Sequence, residues 1–202
     1  VTHASLGLAA IALGGQEDWL GRALMRLHAY YTYSKDTTGE SWEGLSYMGY
    51  GMKNAIPLDA TIYHFTGTEL IDRYPSMQSV PNYQMWQTVP WGGASLQINQ
   101  ANGNGNVSTV YYIINRYKDR VGLWGWEKIC AYDGDKQYQS MYAGNGNQLP
   151  QIIIYEDQSL TPESPEEAGI GNFQYFQRGH IVAKDGWGDN DSLASFTCGV
   201  GN

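Results

Sequence analysis

The hydrophobic period of this chain changes once, from helical to strand-like, near residue 149, and no other feature limits its architecture as much. Residues 3–14 and 17–33 carry apolar side chains at helical spacing and predict two helices joined at Gly14-Gly15-Gln16. Leu6, Ala9, Ala10 and Leu13 share one face of the first. Leu20, Leu24, Leu27 and Tyr31 share one face of the second. Glu17 and Asp18 suit a helix start, where carboxylates meet the positive end of the helix dipole. Lys35 to Glu40 reads as a turn. A third helix is expected over 44–65, interrupted at Pro57, and a short fourth over 68–73. Such antiparallel pairs with short connections describe an all-helical array.

Proline and glycine breaks at Tyr74-Pro75, Val80-Pro81, Val89-Pro90 and 102–105 mark 75–106 as a long loop region. Helical signal returns at 107–118, with Ser108 as a cap, and more weakly at 123–132 and 136–142. Alternation then predicts strands at 151–155, 173–176, 180–183 and 192–197, with an acidic linker over 156–171. Helices followed by strands, unmixed, imply a segregated α+β chain: a helical unit over 1–148 and a strand unit over 149–202. The chain opens without an initiator Met, straight into an amphipathic run, and its last strand has no partner after it. The expectation is an internal piece of a larger, processed protein.

Charge excludes several functions. Twelve Lys and Arg stand against 20 Asp and Glu, a net charge of −8, with no basic run to meet phosphates, so no nucleic-acid partner is expected. The longest apolar run, Leu6 to Leu13, is far short of the ~20 residues of a membrane span. The 25 Gly, 16 Tyr and 7 Trp fit a sugar-handling surface, since aromatic rings stack on the C–H faces of pyranoses while Gly shapes the loops around them. Trp42, Trp86 and Trp91 are candidate platforms. Cys130 and Cys198 are too few for a disulfide framework and read as buried free thiols. No metal or cofactor is expected: Asp185 to Asp191 holds oxygen ligands without the spacing of a calcium loop, and 102–106 lacks the Lys of a phosphate loop.

One stretch stands out: Glu40-Ser-Trp-Glu-Gly-Leu-Ser-Tyr-Met-Gly-Tyr-Gly51. On a helix starting near Ser46, Tyr47, Tyr50, Gly51 and Asn54 fall on one face and offer two phenols and an amide to a ligand. With His3 on an early helix and the tail from Gly179 to Gly199, this stretch resembles the heparinase II/III-like polysaccharide lyases. The resemblance implies part of an (α/α) toroid followed by the opening strands of an antiparallel β-sandwich. It also implies β-elimination at a uronic acid. Tyr47 would be the catalytic phenol, with Tyr50 as its near competitor and His3 as base or carboxylate ligand. Trp42, Glu43, Tyr50, Asn54 and Trp91 would bind substrate, Glu43 orienting a sugar hydroxyl or Tyr47 itself. The expected partner is an acidic polysaccharide, plainer than a sulfated one because no basic groove is evident; the rest of a parent chain or a second copy would be a further partner. His28, His64 and His180 read as structural. Two other functions fit the same residues: a glycan-binding surface without chemistry, and a glycoside hydrolase using a carboxylate pair among Glu40, Glu43 and Asp59.

Overall fold

A computed structural model describes residues 2–96, 108–130 and 148–198. The helix expected at 136–142, the glycine-rich break at 102–105 and the final turn after Cys198 lie outside the described residues. Helices come first and a small antiparallel sheet comes last. The helices are α1 (Thr2–Leu13), α2 (Glu17–Tyr33), α3 (Gly44–Thr66), α4 (Pro75–Gln78), α5 (Val80–Trp86), α6 (Ser108–Tyr117), α7 (Arg120–Cys130) and α8 (Gln148–Tyr155). The strands are β1 (Phe173–Tyr175), β2 (His180–Lys184) and β3 (Leu193–Thr197), in the spatial order β1-β2-β3.

Helix α3 is the centre of the helical layer. It buries Leu45, Met48, Met52, Ala55, Ile56, Leu58 and Ile62, and packs against both α1 and α6. Gly67 ends it in the left-handed conformation (φ 69°), its N–H donating to Tyr63 O at 2.8 Å. Pro57 does not interrupt the helix. A proline lacks the N–H that would reach the carbonyl four residues back, and here Gln151 Nε2 of α8 donates to Lys53 O instead, at 3.4 Å. Ser108 Oγ donates to Gln151 Oε1 at 3.0 Å, so α3, α6 and α8 meet at one amide.

Other expectations are corrected. The inward face of α1 is Ala4, Gly7 and Ala10, while Leu13 is exposed. The region 75–106 is not one loop: Pro75 and Pro81 open α4 and α5, because a proline in the first helical turn sacrifices no bond. The stretch 68–73 supplies only a 3-10 turn, Ile71–Arg73. Residues 151–155 are helical, not a strand. Their isoleucines favour strands only weakly, and tertiary contacts override them: Tyr155 packs edge-on against Tyr112, and Asn115 Nδ2 donates to Tyr155 O at 2.8 Å. Trp86 is buried against Trp187 and cannot stack on a ligand. Cys130 is buried, but Cys198 is exposed.

In the sheet, Tyr175 pairs with Ile181 and Ile181 with Phe196, while Val182 pairs with Ser195. His180, Val182 and Lys184 therefore point to the buried face of β2. They sit over α5, with Phe176 edge-on to Tyr83 and Trp187 against Trp86.

Two glycines test this packing with opposite signs. A Cβ at Gly125 would lie 2.6 Å from Met85 Cα, whereas one at Gly21 meets nothing within 4 Å. In urea unfolding, Gly125→Ala should lose about 1–3 kcal/mol by overpacking the α5–α7 contact. Gly21→Ala should gain about 0.5–1 kcal/mol from helix propensity alone.

Candidate functional site

The turn 35–43 delivers the site's first residues. Asp36 organises it from inside, its Oδ1 accepting from Thr38 N at 2.8 Å and from Glu40 N at 3.2 Å. Trp42 is 46% exposed and carries the Arg178 guanidinium 4.2 Å over its ring. Glu43 follows, exposed, at the N-cap of α3 but without a capping side-chain bond; its charge reaches Tyr30 and Lys35.

Tyr47 and Tyr50 are each 52% exposed on the first turns of α3. Lys53 Nζ lies 4.3 Å over the Tyr50 ring. Asn54 turns its amide to the helix, donating to Tyr50 O at 3.4 Å, rather than presenting it to a ligand. One turn beyond Tyr47 on the same face, Gly51 and Ala55 border a cavity of about 100 Å³ shared with His3, Arg26 and Tyr30. Gly51 is needed there: an added Cβ would fall 2.5 Å from the Tyr30 hydroxyl, which donates to Met48 O at 3.1 Å. His3 of α1 and the Gly51 face of α3 thus border one cavity, although Gly51 lies 48 residues beyond His3 in the chain. Trp91 lies elsewhere. It is 72% exposed beside the α7 end, where Gly93 N donates to Lys128 O at 2.9 Å.

Sequence reasoning missed a charged seam between this turn and the sheet. Arg178 N donates to Glu40 Oε2 at 2.7 Å, and its guanidinium donates to Ser34 O at 3.2 Å and Tyr33 O at 3.3 Å. Asp36 Oδ2 stands 3.8 Å from Arg178 Nε. Burial pushes the Glu40 carboxyl up to about 7 and the Lys35 ammonium down to about 7. Lys184 is likewise lowered to about 7 by burial, and donates to Thr88 O at 2.8 Å and Thr88 Oγ1 at 2.9 Å. The period of β2 places His180 and Lys184 on the Val182 face and so points to Lys184, but not to Arg178.

His180 Nε2 lies 2.8 Å from Ser195 Oγ, the spacing of a nucleophile and its base. Burial lowers His180 to about 4, too weak a base to activate a hydroxyl near neutrality, and its Nδ1 faces the neutral Gln87 amide at 3.4 Å. The pair is structural.

The hydrolase carboxylates do not face each other across an open cleft. Asp59 is fully buried, accepting from Tyr31 Oη at 3.2 Å and Leu70 N at 3.2 Å, with burial raising it to about 6. Glu40 is 4% exposed inside the seam. A larger cleft, about 800 Å³, opens between α3, α6 and α8 beside Tyr63, His64, Tyr112 and Tyr155. His64 is exposed at its rim, and His28 is exposed with Nδ1 2.7 Å from Tyr74 Oη. Among the described residues, no group of three or more His, Cys, Asp or Glu is placed to hold a metal ion, and no helix is long and apolar enough to cross a membrane. No protein-family model and no curated protein sequence matches the chain.

The seam carries a pH signature. Glu40 ordinarily titrates near 4.5 and here at about 7, so the folded chain holds a proton that the unfolded chain releases between those values. That contribution is complete below pH 4.5 and is lost as pH rises through 7. Glu40→Gln lacks this loss. In urea unfolding, the stability of the variant minus that of the natural chain should climb from pH 4.5 to 7 and then level off, whatever its starting offset.

Proposed function

We propose that this chain is part of a secreted polysaccharide lyase that cleaves a uronic-acid-containing polymer by β-elimination. The observation that carries this reading is the meeting of His3, Arg26 and the Gly51 face of α3 at one cavity, one helical turn from the half-exposed Tyr47. The resemblance of the 40–51 stretch to heparinase II/III-like lyases supports the same reading. The helices then correspond to part of an (α/α) toroid and the sheet to the opening of a β-sandwich. The outward face of the sheet suits this: Tyr175, Ile181 and Phe196 stand in register, with Tyr175 54% and Phe196 64% exposed, as the inner face of a sandwich is before its second sheet covers it.

In this reading a uronate carboxylate is neutralised by Arg26 or His3, which makes the adjacent C5 proton acidic. A base, Tyr47 as phenolate or His3, removes that proton. The electron pair forms the C4–C5 double bond as the C4–O bond breaks, and an acid returns a proton to the departing glycosidic oxygen. A phenol needs cationic neighbours to serve as base; Arg26 borders the cavity, Lys35 lies over the Tyr30 ring that also borders it, and Lys53 lies over the Tyr50 ring. Trp42 and Tyr50 supply stacking surface, and Glu43 orients a sugar hydroxyl. A glycan-binding surface without chemistry is favoured by one observation, the half-exposed rings of Trp42, Tyr47 and Tyr50 close together in sequence.

The test is the near-ultraviolet absorbance of the unsaturated uronate that elimination creates. Tyr47→Phe should lower kcat on a uronate polymer about 10²–10⁴-fold with little change in KM. Tyr50→Phe should cost much less. Polymer binding without absorbing product would assign the non-catalytic glycan surface, and cleavage without absorbing product would assign hydrolysis.

A further inference from the structure

Arg178 belongs to the sheet, in the turn between β1 and β2, yet nearly all of its side-chain chemistry is spent on residues 33–42. Its two terminal nitrogens take the carbonyls of Tyr33 and Ser34, which close α2 and would otherwise lack intrahelical donors. Its Nε faces Asp36, the residue that shapes the turn from within. Its backbone N–H holds Glu40, and its guanidinium plane covers the Trp42 ring. The turn is also hemmed in from the other side, where Ser79 Oγ donates to Thr37 O at 2.9 Å.

We infer that Arg178 is a positioning residue for the substrate-binding turn, holding Trp42 and the turn that leads into α3 from the sheet side. The inference rests on the lyase reading for its substrate and on geometry alone for the positioning. A guanidinium is the side chain suited to this task. It donates to two carbonyls, faces a carboxylate and stacks on an indole at once, whereas an ammonium is a point donor that cannot do all of these. Through Arg178 the sheet shapes the binding surface without touching the reacting atoms, so its loss should weaken substrate binding more than it slows chemistry.

The experiment compares the natural chain with Arg178→Lys by amide hydrogen exchange and by kinetics on a uronate polymer. Amides of residues 36–43 should exchange about tenfold faster, with those of β2 and of the α3 interior unchanged. KM should rise roughly tenfold with kcat within about twofold, the mirror image of Tyr47→Phe. Acceleration spread evenly over α2, α3 and β2, or unchanged exchange at 36–43, would overturn the proposal, and so would a loss confined to kcat. If Arg178→Lys does not fold, Arg178→Gln keeps an amide donor for the carbonyls of Tyr33 and Ser34, and unchanged exchange at 36–43 in that variant overturns the proposal equally. If the natural chain forms no unsaturated product, the lyase reading fails on its own. The exchange arm still decides the role of Arg178.

Discussion

A sheet whose strands hold three, five and five residues cannot bury a face on itself, and the architecture follows from how this one is anchored. Its inward row alternates His180, Val182 and Lys184, two polar groups around one apolar one. Burying a lysine ammonium costs several kcal/mol unless acceptors replace its water. Thr88 supplies two such acceptors and the Trp187 ring a third surface, 4.1 Å away. Around this lie Phe176, Trp187 and Val182, which bury apolar area against α5. The position of α5 is therefore tied to the sheet, and the 35–43 turn that leads into α3 is tied to it through Arg178.

The helical half was legible where one face alternated cleanly with solvent. The bounds of α2 were expected over 17–33 and are found at Glu17–Tyr33, with its two acidic residues at the start. The strands from Phe173 onward were legible for the same reason, their period being two. Prolines misled at three positions. A proline is a break inside a helix and a good first residue of one, and only the neighbours decide between those roles. At 75 and 81 it opens α4 and α5; at 57 it sits inside α3. The run 151–155 misled because local preference is weak beside the contacts of Tyr155 and Gln151.

For the site, sequence spacing put Tyr47, Tyr50, Gly51 and Asn54 on one helix, and all four lie on α3, because helix geometry is local; the Asn54 amide turns to the backbone instead of outward. It could not show that His3 borders the same cavity as Gly51, since that depends on how α1 packs on α3. Nor could it separate Trp86 from Trp42. Burial is a tertiary property, and the two indoles differ by 1% against 46% exposure. The seam was hidden for a related reason: Arg178, Lys35, Asp36 and Glu40 lie in two short segments 138 residues apart at their Arg178–Glu40 contact, and neither segment reads as a motif alone.

The amide that completes α3 comes from far along the chain. Gln151 is 98 residues beyond Lys53, so during synthesis the longest helix among the described residues emerges with one carbonyl awaiting a donor that has not yet been made. Until then water can serve that carbonyl. The proline therefore ties the finished bonding of α3 to a residue far along the chain. Helix α3 can form early from local contacts, whereas the partner of this carbonyl is a long-range contact, of the kind whose loop-closure entropy must be met first.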